Sequence, residues 1–251
     1  MEHYPLGFKM AKKESVEALG LKNKTIAIAN TLTTSAQSLS LSEKRILFAA
    51  IAKAGGLKAT VNLSAQEYAA TYGMPLKQAY EQIKEAAKSI FNRYITLSRL
   101  DGKDDVTRHF RWVEAYEYKE GLGKVVLVFT NSVMPYLIDL EAYFTKYKLK
   151  QACALRSVYS WRLLELFEQH SKGWLRIDLE DFYHAMNATK THRKNFKDAR
   201  VHIIESSIKE LQKNDNWLIE WEPIKPGRKV IALRFVFTRK PEETTSQTNT
   251  I

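Results

Sequence analysis

The chain has 251 residues, 45% of them hydrophobic and 27% charged, enough to bury one large core or two of ordinary size in water. Its formal net charge is +11, an excess that favours a polyanionic partner, either nucleic acid or an anionic membrane surface. The single cysteine, Cys153, excludes an intramolecular disulfide and a cysteine-rich zinc site. No run approaches the ~18 consecutive apolar residues of a membrane helix, and the opening residues lack the apolar centre of a secretory leader. A soluble, cytoplasmic protein is therefore expected.

Residues 1–24 are basic and patternless and read as a flexible arm. Ser40-Leu-Ser-Glu43 then has the spacing of a capping box, opening a helix that runs through Lys53 and stops at Gly55-Gly56. A short strand at Thr60–Leu63 and a helix from Ser64 to Thr71 follow. After the turn at Gly73-Met-Pro75 a third helix is expected from Leu76 to about Asn92, because Leu76, Ala79, Ile83, Ala86, Ala87 and Ile90 recur at helical spacing. Tyr94–Leu97, Phe110–Val113 and Lys124–Phe129 read as strands.

The same series then recurs. Ser157 is placed to cap a helix carrying Leu163, Leu164, Leu166 and Phe167 and ending near Gly173. Trp174–Ile177 reads as a strand, Asp178 to about Met186 as a helix, and Lys194 to Lys213 as a third helix with Phe196, Ala199, Ile203, Ile204, Ile208 and Leu211 on one stripe. Trp217–Trp221 and Lys229–Phe237 form a hairpin, with Pro226-Gly227 where a type II turn takes Pro then Gly. Helix, strand, helix, helix, hairpin is the order of a winged helix. The expected fold class is α+β, two tandem winged-helix domains at 25–145 and 146–240, with a disordered polar tail at 241–251.

Residues 1–144 carry 19 Lys and Arg against 15 Asp and Glu, and residues 145–240 carry 20 against 11. The second half is thus the better grip for phosphates. Its densest basic segment, Lys190–Arg200, enters the third helix, which in this motif lies in the major groove with its first residues at base edges. Arg193, Lys194, Lys197, Arg200, Val201 and His202 are the candidate contacts there. Lys197 and Arg200 suit guanine O6 and N7, and Val201 suits a thymine methyl. Counted at 100° per residue, Arg200 falls close to the apolar stripe and must reach past the edge of the core or snorkel to solvent. Arg228 and Lys229 at the second hairpin tip are candidate phosphate contacts. In the first half Lys77 and Gln78 open the third helix, and Arg108 and Arg111 border its hairpin. The alternative for each is an ordinary solvated charge.

Three stretches resemble the iteron-binding replication initiators (Rep proteins) of theta-replicating bacterial plasmids: Asn30–Leu47, Tyr143–Leu149 with Leu155–Leu166, and Asn195–Arg200 leading to Ile208–Leu211. The resemblance implies that both domains bind one repeat from the same side of double-stranded DNA, over about 20 bp. It implies a monomer that binds origin iterons and promotes melting, and a homodimer that binds an operator inverted repeat and represses its own gene. A host replicative helicase and a host initiator protein would be partners. Where the family often has a further basic pair after the position of Arg200, this chain has Val201 and His202, a departure that bears on the base contacts and hence on the repeat sequence.

Three other functions compete. A nicking enzyme needs metal ligands clustered beside a tyrosine, and the six histidines include no His-x-His pair. No GxxxxGK[ST] loop supports nucleotide hydrolysis. No catalytic residue, cofactor or metal is therefore expected. A membrane-surface protein would need a basic helix with an exposed apolar face, which the pattern lacks. A winged-helix transcriptional repressor without initiator activity remains compatible with the sequence.

Overall fold

The computed structural model describes residues 20–55, 58–101, 104–138, 140 and 143–240. The first 19 residues of the expected arm and the expected tail at 241–251 lie outside them. Residues 20–24 are tied to the fold, although residues 22–24 stay exposed: Leu21 is buried, its N–H donates to Thr71 Oγ1 at 2.9 Å, and the carbonyls of Lys22 and Lys24 accept from Lys150 and Leu149.

In chain order the first half contains β1 (Thr25–Ala29), α1 (Asn30–Thr34), β2 (Ala36–Gln37), α2 (Leu41–Ala54), β3 (Thr60–Ser64), α3 (Ala65–Tyr72), α4 (Leu76–Ile90), β4 (Tyr94–Asp101), β5 (Asp104–Arg111), β6 (Val113–Lys119) and β7 (Lys124–Phe129). Then come β8 (Phe144–Lys148), α5 (Lys150–Cys153), α6 (Val158–Gln169), β9 (Trp174–Asp178), α7 (Leu179–Ala185) and α8 (Lys190–Lys194). After these follow α9 (Phe196–Ala199), a π-helical segment (Arg200–Glu205), α10 (Ser206–Asn214), β10 (Trp217–Ile224) and β11 (Ala232–Arg239).

Local chemistry fixes several ends. Ser40 and Glu43 form the expected capping box at α2, and Ser64 and Glu67 form another at α3, each satisfying two backbone N–H groups that a helix start leaves free. Gly55 and Gly73 close these helices with φ of 59° and 65°, a region where a Cβ is unfavourable.

The two winged helices have matching sheets. In the first, β3, β7 and β6 are neighbours in that order; in the second, β9, β11 and β10. The wing of the first half is therefore the β6–β7 hairpin. Residues 114–119, which carry no strand pattern in the sequence, form most of β6, and the expected strand at Phe110–Val113 is divided between the end of β5 and the start of β6. The hairpin of β4 and β5 is an additional element, and it pairs with β2 in a separate sheet. The strand β1 pairs antiparallel with β8 across 115 residues of chain or more, which ties the start of the first half to the approach of the second.

Helix α6 is buried from Ser160 through Phe167, so it has no solvent face. Trp161 meets Phe48 of α2 edge-on at 5.3 Å, while Phe167 stacks on Phe237 of β11 at 4.1 Å. The buried residues of both halves consequently form one continuous cluster. The same helix carries charge. Lys44 of α2 and Glu165 are fully buried and 2.9 Å apart, and Arg162, 3% exposed, donates to Glu165 at 3.0 Å. Arg162 also donates to the carbonyls of Thr33 and Ser35, both at 2.7 Å, and of Ala185 at 2.8 Å. Tyr147 donates to Glu165 at 3.1 Å and accepts from Trp161 at 2.8 Å. Burial, with the Arg162 charge beside it and Glu165 only partly compensating, lowers Lys44 to about 8.

Candidate nucleic-acid interface

The basic segment that reads as one helix entry in the sequence is divided. Thr189 caps α8 by accepting from His192 N–H at 3.3 Å. Asn195, with φ −131° and ψ 98°, breaks the helix, and its side chain caps α9 by accepting from Lys197 N–H at 3.1 Å. The third helix thus begins at Phe196, with Lys194 on the preceding turn rather than in the helix. Its buried side is Ala199, Ile203, Ile204, Ser207, Ile208 and Leu211.

A second departure lies inside that helix. The N–H of Ser206 reaches back to the carbonyl of Val201, an i→i−5 bond that widens one turn. A straight 100° count places Arg200 near the core. The π turn changes the phase after Val201, and Arg200 points out, its side chain 45% exposed and 3.4 Å from Glu205.

The predicted contacts fall into two groups. Lys194, Lys197 and Val201 are exposed, and neither lysine forms an ion pair among the described residues. His202 is exposed, with Nε2 3.6 Å from Asp198. Arg193 is instead tied down: it donates to Glu180 at 3.0 Å and to the carbonyl of Ala188 at 3.3 Å, and lies over the Tyr183 ring. It supports the entry turn rather than projecting from it.

Arg228 and Lys229 are exposed in the seven-residue loop between β10 and β11. This loop is not the expected type II turn, because Gly227 is not among the residues with positive φ. The longer connection, closed by Ile231 N–H donating to Ile224 at 3.0 Å, turns the chain without a left-handed residue. Lys225, which sequence reading passed over, is exposed on the same loop.

In the first half Lys77 and Gln78 are exposed on the opening turn of α4, whose N-cap is Pro75 with no side-chain cap. That turn's N–H groups are left for solvent or an anion. Arg108 and Arg111 do not border the wing. They lie on β5 in the additional hairpin, where Arg108 covers the Phe110 ring and Arg111 donates to the Phe91 carbonyl at 3.0 Å. The wing ends at Lys119 and Lys124, and Glu120 on it pairs with Lys84 of α4 at 2.7 Å. Gly121 and Gly123, both with positive φ, were the sequence signal for this turn.

Between the halves, Arg45, Arg156, Lys209 and Lys213 line a cleft of about 630 Å³ together with Tyr72 and Glu210. Lys209 and Lys213 project from α10, the later part of the second third helix. Among the described residues no cluster of three or more His, Cys, Asp or Glu is placed to hold a metal ion, and no helix is long and apolar enough to cross a membrane.

Comparison with known proteins matches these two units in order. The family described as "Initiator Replication protein, WH1" matches residues 25–168, and that described as "Initiator Rep protein, WH2" matches residues 178–237. The first match runs through α6, the helix common to both cores. A curated Escherichia coli protein named replication initiation protein is 22% identical over 167 residues, which take in 64% of this chain. They are 46% of that protein, so the chain spans about half the length of the curated relative it matches. The crystal structure of Pi initiator protein in complex with iteron DNA superposes with a TM-score of 0.74 over 87% of this chain and 98% of that one, at 22% identity. This likeness is one of fold. With one family match on each winged helix, covering most of its length, the chain belongs to the initiator replication protein family.

Proposed function

We propose that this protein is a plasmid replication initiator that binds a repeated duplex sequence, an iteron, with both third helices on one side of the DNA. The Pi initiator, which shares the fold, is seen with iteron DNA. The observation that carries the reading is the exposure, at corresponding places, of cations that form no ion pair among the described residues. Lys77 opens the third helix of the first winged helix, Lys197 that of the second, and Arg228 and Lys229 occupy the second wing. In the second half Lys197, Arg200, Val201 and His202 read bases from the major groove while Lys194 and the wing hold phosphates. In the first half Lys77 and Gln78 read or hold the adjacent groove, and Arg108 and Arg111 play at most a phosphate-holding part. The functional units in this scheme are residues 25–145 and 146–240.

Binding rather than catalysis is the activity in this reading. Occupied repeats promote opening of the origin and gather a host initiator and replicative helicase, and a homodimer binding an inverted operator represses the protein's own gene. The protein works in the bacterial cytoplasm, on plasmid DNA. Selection of bound duplexes from a random library at near-physiological salt tests it. Enrichment of one motif of about two helical turns is expected. Binding without enrichment that vanishes as salt rises would reduce the basic faces to a non-specific phosphate grip and sink the reading.

A further inference from the structure

The two third helices are joined by side-chain contacts linked through short steps of backbone, from Glu43 to Lys44 and from Arg156 into α6. Ser89, near the end of α4, and Arg93, just beyond it, both donate to Glu43 in the first turn of α2, Arg93 at 2.9 Å. The next residue, Lys44, reaches Glu165 of α6 at 2.9 Å. Arg162 shares Glu165 and holds the carbonyls of Thr33 and Ser35 on one side and of Ala185 on the other. The lead into α6 is in turn fastened to α10, because Arg156 N–H donates to Glu210 at 2.6 Å.

A buried group of two cations and one anion is a poor means of simple adhesion. Apolar side chains of similar volume hold two cores together as firmly or more so. Hydrophobic contact is non-directional, whereas charged hydrogen bonds to fixed carbonyls and a shared carboxylate set an angle as well as a distance. An α-helix buried on every side transmits that angle to the helices packed on it.

We propose that the Lys44–Glu165–Arg162 cluster fixes the separation and angle of the two third helices, and thereby sets the spacing between the two halves of a DNA repeat that the protein accepts. The inference rests on the reading of both third helices as DNA contacts. The three residues are positioning residues: all are buried, and they act on DNA only through α4 and α10. One added base pair moves the second half-site by about 3.4 Å and turns it by roughly 34° around the duplex. A rigid joint does not follow that displacement, and a loosened one does.

The test uses the full chain and the repeat obtained by selection, rebuilt with its halves one base pair closer, unchanged, and one base pair further apart. Affinities of the wild type and Glu165→Gln are measured on each, with circular dichroism to verify folding. The wild type is expected to lose about tenfold or more on either side of its preferred spacing. Glu165→Gln is expected to lose less than about threefold, on the same scale. A folded variant as selective as the wild type overturns the proposal. If Glu165→Gln does not fold, Arg162→Lys decides. It keeps a cation beside Glu165 but cannot make all the guanidinium's hydrogen bonds to the carbonyls of Thr33, Ser35 and Ala185. A flattened spacing profile in that variant supports the proposal and an unchanged one overturns it. A wild type that enriches both half-motifs at every spacing overturns the spacing role and leaves DNA reading intact, whereas one that enriches no motif overturns both.

Discussion

The two winged helices have the same sheet order and differ in the helix that each presents. In the first half α4 is one uninterrupted helix of 15 residues that starts at a proline without a side-chain cap. In the second the equivalent helix is capped by Asn195, preceded by a separate basic turn, and widened by a π segment within its first ten residues. π turns inside α-helices are frequent at functional sites, and this one lies where Arg200, Val201 and His202 emerge. The second half also has the larger positive excess. One element order thus supports two different surfaces, a plain helix that presents a start and an irregular one that presents its whole first half.

The largest effect is expected where the halves cease to be separable. Replacing Glu165 by Leu leaves Lys44 and Arg162 buried without their carboxylate, and breaking such a cluster costs about 3–5 kcal/mol. Because α6 belongs to both cores, urea unfolding of this variant is expected to remain a single transition shifted to lower urea. Two separated transitions would show that the halves are coupled less tightly than their continuous core implies.

Next come the reading residues, where the halves should differ. Lys197→Ala is expected to weaken binding to the selected repeat by about 1–3 kcal/mol and to relax preference at one base pair. Arg228→Ala should weaken selected and random DNA alike and reduce the salt slope by about one. Lys77→Ala, in the less basic half, is expected to cost less than Lys197→Ala on the same repeat. Equal losses on selected and random duplexes from Lys197→Ala would remove it from the readers.

Acid should separate the halves by sign. In the first half burial raises Glu43 and Glu67, but this is outweighed. For Glu43 the hydrogen bonds come from Ser89, the Ser40 backbone and Arg93; for Glu67 they come from Lys53 and Ser64. Both carboxyls are held below their ordinary value. Their stabilisation is present above the unfolded-state pKa and lost as pH falls through the folded one. In the second half burial raises Glu168 and Asp215, and Arg239 offsets this only in part. Their ionised forms are disfavoured by folding, so protonation as pH falls through the raised values relieves the fold. Hydrogen-exchange protection, taken relative to the intrinsic rate at each pH, should therefore fall first at α2 and α3 between roughly pH 6 and pH 3. Earlier loss of protection at β10 and β11 would contradict this assignment.

How much of this was legible in the sequence follows from the range of the forces involved. The capping box at Ser40, the stripe of α4 and the ends at Gly55 and Gly73 depend on residues within a few positions of one another, and they read directly. The double winged-helix order followed from them. The strand β6 did not, because Val113–Lys119 has only one fully buried residue and its pairing with β7 decides its state. The short strands β1 and β8 exist only as each other's partners. Lys44, Arg162 and Glu165 look like ordinary helix-surface charges in sequence, and only the docking of α6 against α2 buries them. At the candidate interface the identity of the basic helix was legible. Its break at Asn195 and its π turn were not, since both depend on how the apolar stripe meets the core.

The smallest expected effect isolates a single local difference between the halves. The second helix of each winged helix begins after a strand, α3 after Ser64 and α7 after Asp178. Ser64 accepts from Glu67 N–H at 3.2 Å, while Glu67 accepts from Ser64 N–H at 2.8 Å. Asp178 sits at the same place with extended backbone angles but makes no side-chain cap; its carboxylate lies 3.1 Å from Arg176, and both side chains are more than half exposed. Removal of a working cap costs about 1 kcal/mol, and an exposed ion pair contributes between about zero and 1 kcal/mol. Ser64→Ala is therefore expected to lower stability by about 1 kcal/mol in urea unfolding, and Asp178→Ala by less than about half that. Asp178 also favours the helix through its charge near the N-terminus, an attraction that salt screens. Its small contribution should shrink further as ionic strength rises, while that of Ser64 should not. A loss from Asp178→Ala equal to that from Ser64→Ala and insensitive to salt would mean that Asp178 caps α7 in solution, and that the two starts are built alike.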